Sequence, residues 1–285
     1  MGDYNILDQC VNLDDFQRFS KQKLRKSLYE YLASGTDDEQ TLAENRHAFK
    51  MFYLCPRVMR PVGNITTRTS LFGQVLNMPV FVSPAGVQAL CDPDGECATA
   101  QACGDAGIMF GLSQHATKSI EDVATAAPST NRWYQAYILK ERSMTLNLVQ
   151  RAVMAGYQGI FLTVDSVRFG YREADARNGF NALPHPHRLA NYDQYNGKDG
   201  SEKSSTSDLD KTYNAKTKKA WDQNSEQLFE QDLTWDDVRW LKREGCPSLP
   251  LVVKGIMTAD DALLAIEAGA DGIMVGLLCV LTNYF

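Results

Sequence analysis

The chain has 285 residues, of which 44% are hydrophobic and 10% aromatic, and its 29 basic and 35 acidic side chains give a formal net charge of −6. This hydrophobic content is sufficient for a full-size core, and it excludes a wholly disordered or low-complexity chain. The acidic balance argues against nucleic-acid binding, because a nucleic-acid groove needs a basic face. The length fits one or two domains and allows a single α/β barrel of about 250 residues.

The sequence predicts an intracellular protein that does not act at a membrane. The first residues include Asp3 and Asp8 and lack the apolar stretch of a secretory signal. The longest apolar run, Ile273–Leu281, is well short of the roughly 20 residues that span a bilayer. The seven cysteines form no CxxC pair, which favours free thiols in a reducing compartment. We therefore expect a soluble protein of the cytoplasm or the peroxisome, and the sequence does not decide between them.

Residues 1–78 are expected to form an N-terminal helical segment that packs on the main domain. Two helical stretches are predicted there, at about Leu13–Ala33 and Asp38–Phe49. They are followed by an irregular segment around Arg57–Asn77.

From Pro79 onward, a short apolar run, a polar turn and a capped helix repeat along the chain. Near-continuous apolar runs are typical of parallel strands that are covered on both faces. Except across one gap, the runs begin about 25–30 residues apart, which is the length of one strand and one helix. The predicted strands are Pro79–Ser83, Ile108–Leu112, Trp133–Ile138, Gly159–Val164, Pro250–Lys254 and Gly272–Val275.

The helices between these strands carry their own end signals. Capping patterns occur at Ser119–Asp122, Thr234–Asp237 and Thr258–Asp261. Glycines stand where helices are expected to end, at Gly156, Gly245 and Gly269.

Together these signals predict an α/β fold, a TIM-type (β/α)8 barrel that is incomplete, with about six strands within residues 79–285. One connection is much longer than the others, because residues 191–231, after the fourth strand, are rich in Asn, Asp, Ser, Lys and Gly. A polar segment of this length is expected to be a lid-like insertion over the C-terminal face of the barrel, where barrel enzymes have their active sites. A surface insertion without a function is the alternative.

Polar residues mark the C-terminal ends of the predicted strands. Such residues are costly in apolar strands unless they are satisfied, and in a barrel they meet at one rim. The sequence therefore predicts a binding site at this rim. Its candidate residues are Pro84, Ala85, Gly86, Ser113, Gln114, His115, Gln135, Tyr137, Thr163, Asp165, Lys254 and Gly255.

Among the charged candidates, Lys254 carries the clearest signal. It places an ammonium at the end of an apolar run, which favours an anionic partner such as a carboxylate, a phosphate or an electron-rich cofactor ring. Arg172 follows the fourth strand and could bind a carboxylate through two hydrogen bonds, although loop arginines are common. The pair His185 and His187 supplies too few ligands for a metal site, and no metal is expected.

The motifs of several large enzyme classes are missing. There is no GxGxxG after the first strand, no Walker loop and no nucleophile elbow. Dinucleotide-binding, P-loop and α/β-hydrolase folds are therefore excluded.

Longer motifs carry a family resemblance over about residues 15–275. The N-terminal motifs are Lys21-Gln-Lys-Leu, Tyr29-Glu-Tyr-Leu-Ala-Ser-Gly35 and Thr41-Leu-Ala-Glu-Asn-Arg46. The barrel motifs are Ser83-Pro-Ala-Gly86, Leu112-Ser113, Gln135-Ala-Tyr137, Leu162-Thr-Val-Asp165, Arg172-Glu-Ala-Asp175, Leu251-Val-Val-Lys-Gly255 and Thr258-Ala-Asp-Asp-Ala262. In this order they resemble the FMN-dependent α-hydroxy-acid oxidases, the family of glycolate oxidase.

The resemblance implies a flavoenzyme that oxidises a small 2-hydroxy acid to the 2-oxo acid, with FMN as hydride acceptor and O2 or another acceptor reoxidising it. The residues implied to bind the cofactor are Pro84, Ala85, Gly86, Ser113, Gln135, Thr163 and Lys254. Lys254 would stabilise the negative charge of the reduced flavin.

The same resemblance assigns substrate and catalytic roles. Tyr31 and Arg172 would hold the substrate carboxylate, and Tyr137 would face the substrate hydroxyl. Asp165 would support the charge that forms on a catalytic histidine. His115 stands where glycolate-preferring relatives have a tryptophan, which leaves the length of the substrate open.

The sequence departs from the family pattern after the sixth strand. The family continues there into Ser-Asn-His-Gly-Gly-Arg-Gln, whose histidine is the base, whereas Leu278 occupies that place here. The family's phosphate-binding segments, which follow the seventh and eighth strands, are not found in the 285 residues. We therefore expect this truncated chain to be inactive by itself, and we expect its FMN affinity to be lower by orders of magnitude.

Two alternatives stay open at this point. The chain could be a non-catalytic partner that forms a homo-oligomer or a hetero-assembly with a full-length paralogue. It could also be another phosphate-binding barrel enzyme, in which Lys254 forms a Schiff base. The second alternative leaves the motifs around Tyr31 and Arg172 unexplained.

Overall fold

Short helices precede the sheet in the computed structural model, which describes residues 9–166, 170–180, 183–193 and 228–276. They are α1 (Leu13–Lys23), α2 (Lys26–Ala33) and α3 (Gln40–His47), with a 3-10 turn at Ala48–Met51. The prediction of one helical stretch over Leu13–Ala33 is wrong. Leu24 and Arg25 have extended backbone, with ψ of 149° and 142°, so that the chain changes direction between α1 and α2.

A β-hairpin that the sequence analysis left irregular follows these helices. Strands β1 (Thr69–Leu71) and β2 (Gln74–Leu76) pair antiparallel. Their two-residue turn, Phe72-Gly73, has positive φ at both positions, as this kind of tight hairpin requires. The ring of Phe72 lies 5.2 Å from the ring of Trp133, so the hairpin covers the end of the sheet where its strands begin.

Six parallel strands form one sheet whose spatial order follows the chain order. They are β3 (Phe81–Ala85), β4 (Met109–Ser113), β5 (Arg132–Ala136), β6 (Ile160–Thr163), β7 (Leu251–Ile256) and β8 (Gly272–Val275). Every predicted strand is confirmed, with ends that shift by at most two residues. The curled sheet with helices on its outer face confirms the prediction of an incomplete TIM-type barrel.

The helices that cover the outer face begin and end largely where the sequence signals stand. They are α4 (Gly95–Ala106), α5 (Ile120–Ala126), α6 (Arg142–Met154), α8 (Trp235–Trp240) and α9 (Ala259–Glu267), whereas α7 (Glu173–Asn178) packs against α2. The capping boxes of α5 and α8 are formed, and Thr258 caps α9. Gly156 and Gly269 have φ of 77° and 91°, as expected of glycines at helix ends.

Gly245 ends a helix as predicted, but it does so without the positive φ that is expected of a glycine in this place. The residue ends a π-helical turn, Leu241–Gly245, that extends α8, and it is not among the described glycines with positive φ. A Cβ atom at this position would lie 2.9 Å from the Leu241 side chain and 3.4 Å from that of Val149. The glycine therefore lies in close contact with the Leu241 side chain where the π-helical turn packs against α6.

Alternate residues of each strand face opposite sides of the sheet, and each side has its own apolar cluster. The outer cluster lies under the helices and includes Phe110, Leu112, Tyr134, Leu162 and Val253. The inner cluster, on the concave side, consists of Leu76, Met109, Trp133, Phe161 and Val252. This inner cluster fills the concave side near the N-terminal ends of the strands and supports the polar residues that follow.

Both ends of the predicted polar insertion are buried in the fold, whereas residues 194–227 lie outside the described residues. Asn191 and Tyr192 are buried before it, and Phe229 is buried after it. A bridge between Leu139 and Phe229 joins the second end to the segment that follows β5. In the part of the chain that the structure describes, no helix has both the length and the apolarity that crossing a membrane requires.

Candidate active site

The concave side of the sheet becomes polar toward the C-terminal ends of the strands. Ser113, Gln135, Thr163 and Lys254 all lie there, and each is less than a tenth exposed. The sheet register pairs Ser113 with Gln135 and Thr163 with Lys254. Four of the residues predicted to bind a cofactor thus lie near the C-terminal ends of β4, β5, β6 and β7, as two register pairs that are offset by two residues because Gln135 pairs with Phe161. We call these four residues the polar row.

Hydrogen bonds fix the first half of this row. The Ser113 hydroxyl donates to Oε1 of Gln135 at 3.3 Å, and the backbone N–H of Gln114 donates to the same oxygen at 3.3 Å. The backbone N–H of His115 in turn donates to the Ser113 hydroxyl at 3.1 Å. The loop after β4 is therefore tied to the side chain of Gln135.

An ion pair occupies the other half of the row. The Lys254 ammonium lies 3.9 Å from Oδ1 of Asp165, and both side chains are nearly buried. The anionic partner predicted for Lys254 is therefore present as a carboxylate within the protein. Gly255, with φ of 110°, allows this approach, because a Cβ atom there would lie 2.5 Å from the Asp165 carboxyl carbon.

Tyr137 lies beside this ion pair. Burial raises the pKa of its hydroxyl, and the nearby carboxylate of Asp165 and hydroxyl of Tyr31 raise it further. The Tyr137 hydroxyl is therefore protonated at neutral pH and available as a hydrogen-bond donor. The structure thus places Tyr31 and Asp165 near Tyr137.

An aromatic cluster closes the site next to Tyr137. The ring of His115 stacks on Tyr137 at 5.1 Å, and the ring of Phe229 lies 5.1 Å from Tyr137 and 5.7 Å from His115. Burial lowers the pKa of His115 to about 4, so that its imidazole is neutral at pH 7. His115 thus contacts Tyr137, but it is a weak base.

Arg172 binds the end of helix α2. Its guanidinium donates to the carbonyl oxygens of Tyr31 at 2.6 Å and Ser34 at 3.2 Å, and it lies 5.1 Å from the centre of the Tyr31 ring. The carboxylate of Asp175 lies 3.8 Å away. Burial raises the pKa of the Tyr31 hydroxyl, while the charge of Arg172 lowers it. The two residues predicted to hold a substrate carboxylate are therefore neighbours.

The end of β3 and the residue after it, Pro84–Gly86, complete the rim beside β4. The backbone N–H of Val87 donates to the carbonyl oxygen of His115 at 3.1 Å. A Cβ atom on Gly86 would lie 2.9 Å from that same oxygen, so only glycine allows the two loops to approach this closely. Ala85 is exposed at the rim. Leu278, the residue in the place of the family's histidine, lies outside the described residues.

Sequence reasoning missed a buried hydrogen-bond network below the rim. Gln114 is fully buried, donates to the Tyr192 hydroxyl at 2.7 Å and accepts from the backbone N–H of Tyr137 at 2.8 Å. Asn191 donates to the Gln114 carbonyl oxygen at 3.1 Å and accepts from the backbone N–H of Ile120. Asn191 and Tyr192 were assigned to the polar insertion, because composition does not distinguish a buried asparagine from a solvated one.

Phe229 was missed as well, although a signal for it exists. Leu228 and Phe229 are two adjacent apolar residues at the end of a polar stretch. Such a pair indicates that the chain returns to the core, and here it returns against Tyr137 and His115.

Comparison with known proteins agrees with this geometry. Residues 20–276 match the family described as FMN-dependent dehydrogenase. The chain is 39% identical over 270 residues to glycolate oxidase 3 of Oryza sativa subsp. indica, covering 94% of this chain and 69% of that relative. It is 39% identical over 272 residues to 2-hydroxyacid oxidase 1 of Mus musculus, covering 95% and 70%.

A solved structure shows the same relationship in three dimensions. Mandelate oxidase with (S)-4-hydroxymandelic acid superposes with a TM-score of 0.80 at 32% identity, covering 93% of this chain and 69% of that one. The matches in sequence and in fold cover the same strands that carry Ser113, Gln135, Thr163 and Lys254. The chain therefore belongs to the FMN-dependent dehydrogenase family, whose cofactor is FMN.

Proposed function

We propose that the polar row on the concave side holds the flavin ring of FMN, and that the site is built for the oxidation of a small 2-hydroxy acid to a 2-oxo acid. The observation that carries this proposal is the buried ammonium of Lys254 in register with Thr163, next to Asp165 and Tyr137. Family membership supplies the reaction class, and the row supplies the binding surface for it.

The residues of the row fit a flavin ring. The Thr163 hydroxyl is buried and has no hydrogen-bond partner among the described residues. The Lys254 ammonium forms an ion pair with Asp165 at 3.9 Å and keeps a positive charge beside the Thr163 hydroxyl. Unsatisfied buried donors cost free energy, and a flavin ring presents nitrogen and carbonyl oxygen acceptors along one edge. Pro84, Ala85 and Gly86 would line the ring from the neighbouring rim.

When bound, FMN would accept the hydride that leaves the hydroxyl-bearing carbon of the substrate. The fixed positive charge of Lys254 would stabilise negative charge that accumulates beside it, because it is already oriented in a site of low dielectric. When that negative charge is absent, the Asp165 carboxylate would neutralise the Lys254 ammonium. It would also stabilise a positive charge that forms nearby.

The substrate would bind above the row. We propose that Arg172 and Tyr31 hold its carboxylate, the guanidinium through charge and the phenol through a hydrogen bond. The Nε–H of Arg172 is buried and has no hydrogen-bond partner among the residues that the structure describes. Tyr137 would donate to the substrate hydroxyl oxygen, since its raised pKa keeps the phenol protonated.

The role of general base is the one that the residues of this chain fill least well. By the resemblance, leucine occupies position 278, and a leucine side chain accepts no proton. His115 is the histidine next to Tyr137, but its pKa of about 4 makes it a poor base at neutral pH. We therefore propose that this polypeptide by itself binds flavin without oxidising substrate at a family-like rate.

A role in assembly is a second candidate, and the exposed apolar side chains favour it. Leu263 and Ile266 on α9 are 62% and 60% exposed, and Val275 on the outer strand β8 is 68% exposed. Exposed apolar patches mark surfaces that contact other chains. Light scattering of the purified chain, alone and mixed with a full-length paralogue, tests this role; a purely monomeric chain in both samples would contradict it.

The proposed function is tested by titrating the purified chain with FMN and with riboflavin, while the loss of flavin fluorescence is followed. We expect saturable binding of both, and at least about tenfold weaker binding by Lys254→Met, because a charge-assisted contact to the ring is lost. Absence of saturable flavin binding would contradict the proposal. Formation of a 2-oxo acid from glycolate or lactate would overturn only the statement about inactivity.

A further inference from the structure

A buried carboxylate outside the polar row links the two loops at its rim. Glu96, in the first turn of α4, is 0% exposed. Its Oε1 accepts the backbone N–H groups of Gln88 and Thr117, both at 3.0 Å. Its Oε2 accepts the Thr117 hydroxyl at 2.7 Å and the backbone N–H of Lys118 at 3.1 Å. Glu96 forms no ion pair within the described part of the chain.

Burying a carboxylate without a cation is expensive unless several donors satisfy it. Here all four donors come from two loops, the one between β3 and α4 and the one between β4 and α5. The Thr117 hydroxyl also accepts the backbone N–H of Ala89 at 3.0 Å, and the N–H of Val87 reaches the carbonyl oxygen of His115. One side chain therefore fixes the distance between the two loops.

These loops follow directly from the proposed flavin-binding residues. The first loop begins at Pro84–Gly86, and the second begins at Ser113 and His115. The contact between Gly86 and the His115 carbonyl oxygen leaves no room for a Cβ atom, so a small displacement of either loop would change the rim. The Glu96 carboxylate itself is satisfied by the loop donors and takes no part in the chemistry.

We propose that Glu96 is a positioning residue for the cofactor: it holds the loops after β3 and β4 at the spacing that the flavin ring requires. The inference rests on the proposed function, because it concerns the same binding site. Glu96, a side chain of helix α4, would thus set the geometry of the rim without contacting the reacting atoms.

Substitution by glutamine tests this role at nearly constant size. In Glu96→Gln, an NH2 group replaces one of the two carboxylate oxygens. In both orientations of the amide, this NH2 group faces a backbone N–H donor of the loops and cannot accept its hydrogen bond. Thr117→Val removes the hydroxyl that joins Glu96 to Ala89, whereas Thr117→Ser keeps it. Glu121→Gln is the matched control, because Glu121 also accepts two hydrogen bonds of 2.8 Å, but it does so from Arg151 at the protein surface.

The readouts are the riboflavin dissociation constant, the fluorescence of the saturated complex and the melting temperature. We expect Glu96→Gln to weaken riboflavin binding by about tenfold or more and Thr117→Val by about threefold, since charge-assisted hydrogen bonds are lost. Less complete quenching of the bound flavin should accompany the weaker binding. Thr117→Ser and Glu121→Gln should stay within about twofold of the wild-type constant.

The outcomes separate this inference from the proposed function. If the wild-type chain binds no flavin, the proposed function fails. If the wild-type chain binds flavin and folded Glu96→Gln binds it equally well, the positioning role is overturned. If Glu96→Gln does not fold, Thr117→Val decides: weaker binding that Thr117→Ser restores supports the role, and unchanged binding overturns it.

Discussion

The ammonium of Lys254 lies 3.9 Å from the carboxylate of Asp165, on neighbouring strands of the sheet and almost out of contact with solvent. Register sets this relationship, because Thr163 pairs with Lys254 and Asp165 follows two residues later on the same side. An ion pair buried at this depth is costly to break, since the remaining charge has no solvent to stabilise it.

The first prediction concerns this pair. Lys254→Met should lower the free energy of unfolding by about 3 kcal/mol, because it removes the positive charge that is paired with the buried Asp165 carboxylate. The double variant Lys254→Met/Asp165→Asn should recover most of that loss. Urea unfolding of the four proteins measures the coupling. Additive effects of the two substitutions would show that the pair does not interact.

Removal of the Thr163 hydroxyl, which has no hydrogen-bond partner among the described residues, is predicted to stabilise the chain. Thr163→Val should raise the free energy of unfolding of the flavin-free chain by about 1 kcal/mol, because an unpaired buried polar group is removed. The same variant should bind riboflavin more weakly. Thr145→Val is the matched control: the buried Thr145 hydroxyl accepts the N–H of Leu139 at 2.9 Å, so its loss should destabilise the chain. Destabilisation of both variants alike would contradict the assignment.

Asp175 should make stability decrease as the pH rises. Burial raises the pKa of this carboxyl to about 6 from 3.8, with the charge of Arg172 opposing the shift and Glu30 adding to it. The folded chain therefore binds the proton more tightly than the unfolded chain does. The resulting stabilisation is complete below pH 3.8 and is lost as the pH rises through about 6.

Asp175→Asn removes the titrating carboxyl, so a comparison with this variant isolates the contribution of Asp175 to stability. The stability of the wild-type chain relative to the variant should fall between pH 4.5 and pH 7, by at most about 3 kcal/mol. Urea unfolding at the two pH values measures the difference. A difference that is constant with pH would contradict the pKa assigned to Asp175.

His115 should make the stability of the chain increase as the pH rises. Burial lowers the pKa of its imidazole from 6.5 to about 4, so the unfolded chain takes up the proton first. The associated stability is present above pH 6.5 and is lost as the pH falls through about 4. The stability of the wild-type chain relative to His115→Phe should therefore rise between pH 4.5 and pH 7. NMR titration of the imidazole checks the same pKa directly, and a value near 6.5 would rule out the buried neutral form.

The sheet could be predicted from the sequence because its strands are buried on both faces. Runs such as Leu251–Val253 and Ile160–Leu162 are apolar throughout, as is typical of such strands. The row of Ser113, Gln135, Thr163 and Lys254 followed from the rule that strand ends converge in a barrel. The hairpin at Phe72-Gly73 was missed, because Phe72 is an unusual residue at positive φ and its ring is held there by Trp133, which is distant in sequence.

Other parts of the site depend on contacts that no local pattern encodes. Glu96 resembles any acidic residue in the first turn of a helix, and only the loop donors around it show its role. Asn191 belongs to a polar stretch by composition, yet it is fully buried because Gln114 and Ile120 bind its amide. Arg172 was predicted as a ligand of a carboxylate, and the structure adds that it also fastens helix α2.

The central claim is that the row on the concave side holds the flavin ring. NMR mapping of riboflavin binding to the isotope-labelled chain tests it most directly. We predict saturable shifts at the backbone amides of Ser113, Gln135, Thr163 and Lys254, with no shifts in the outer cleft formed by Lys118, Arg151 and Arg188. Shifts centred on that cleft, or no saturable shifts in the row, would contradict the claim.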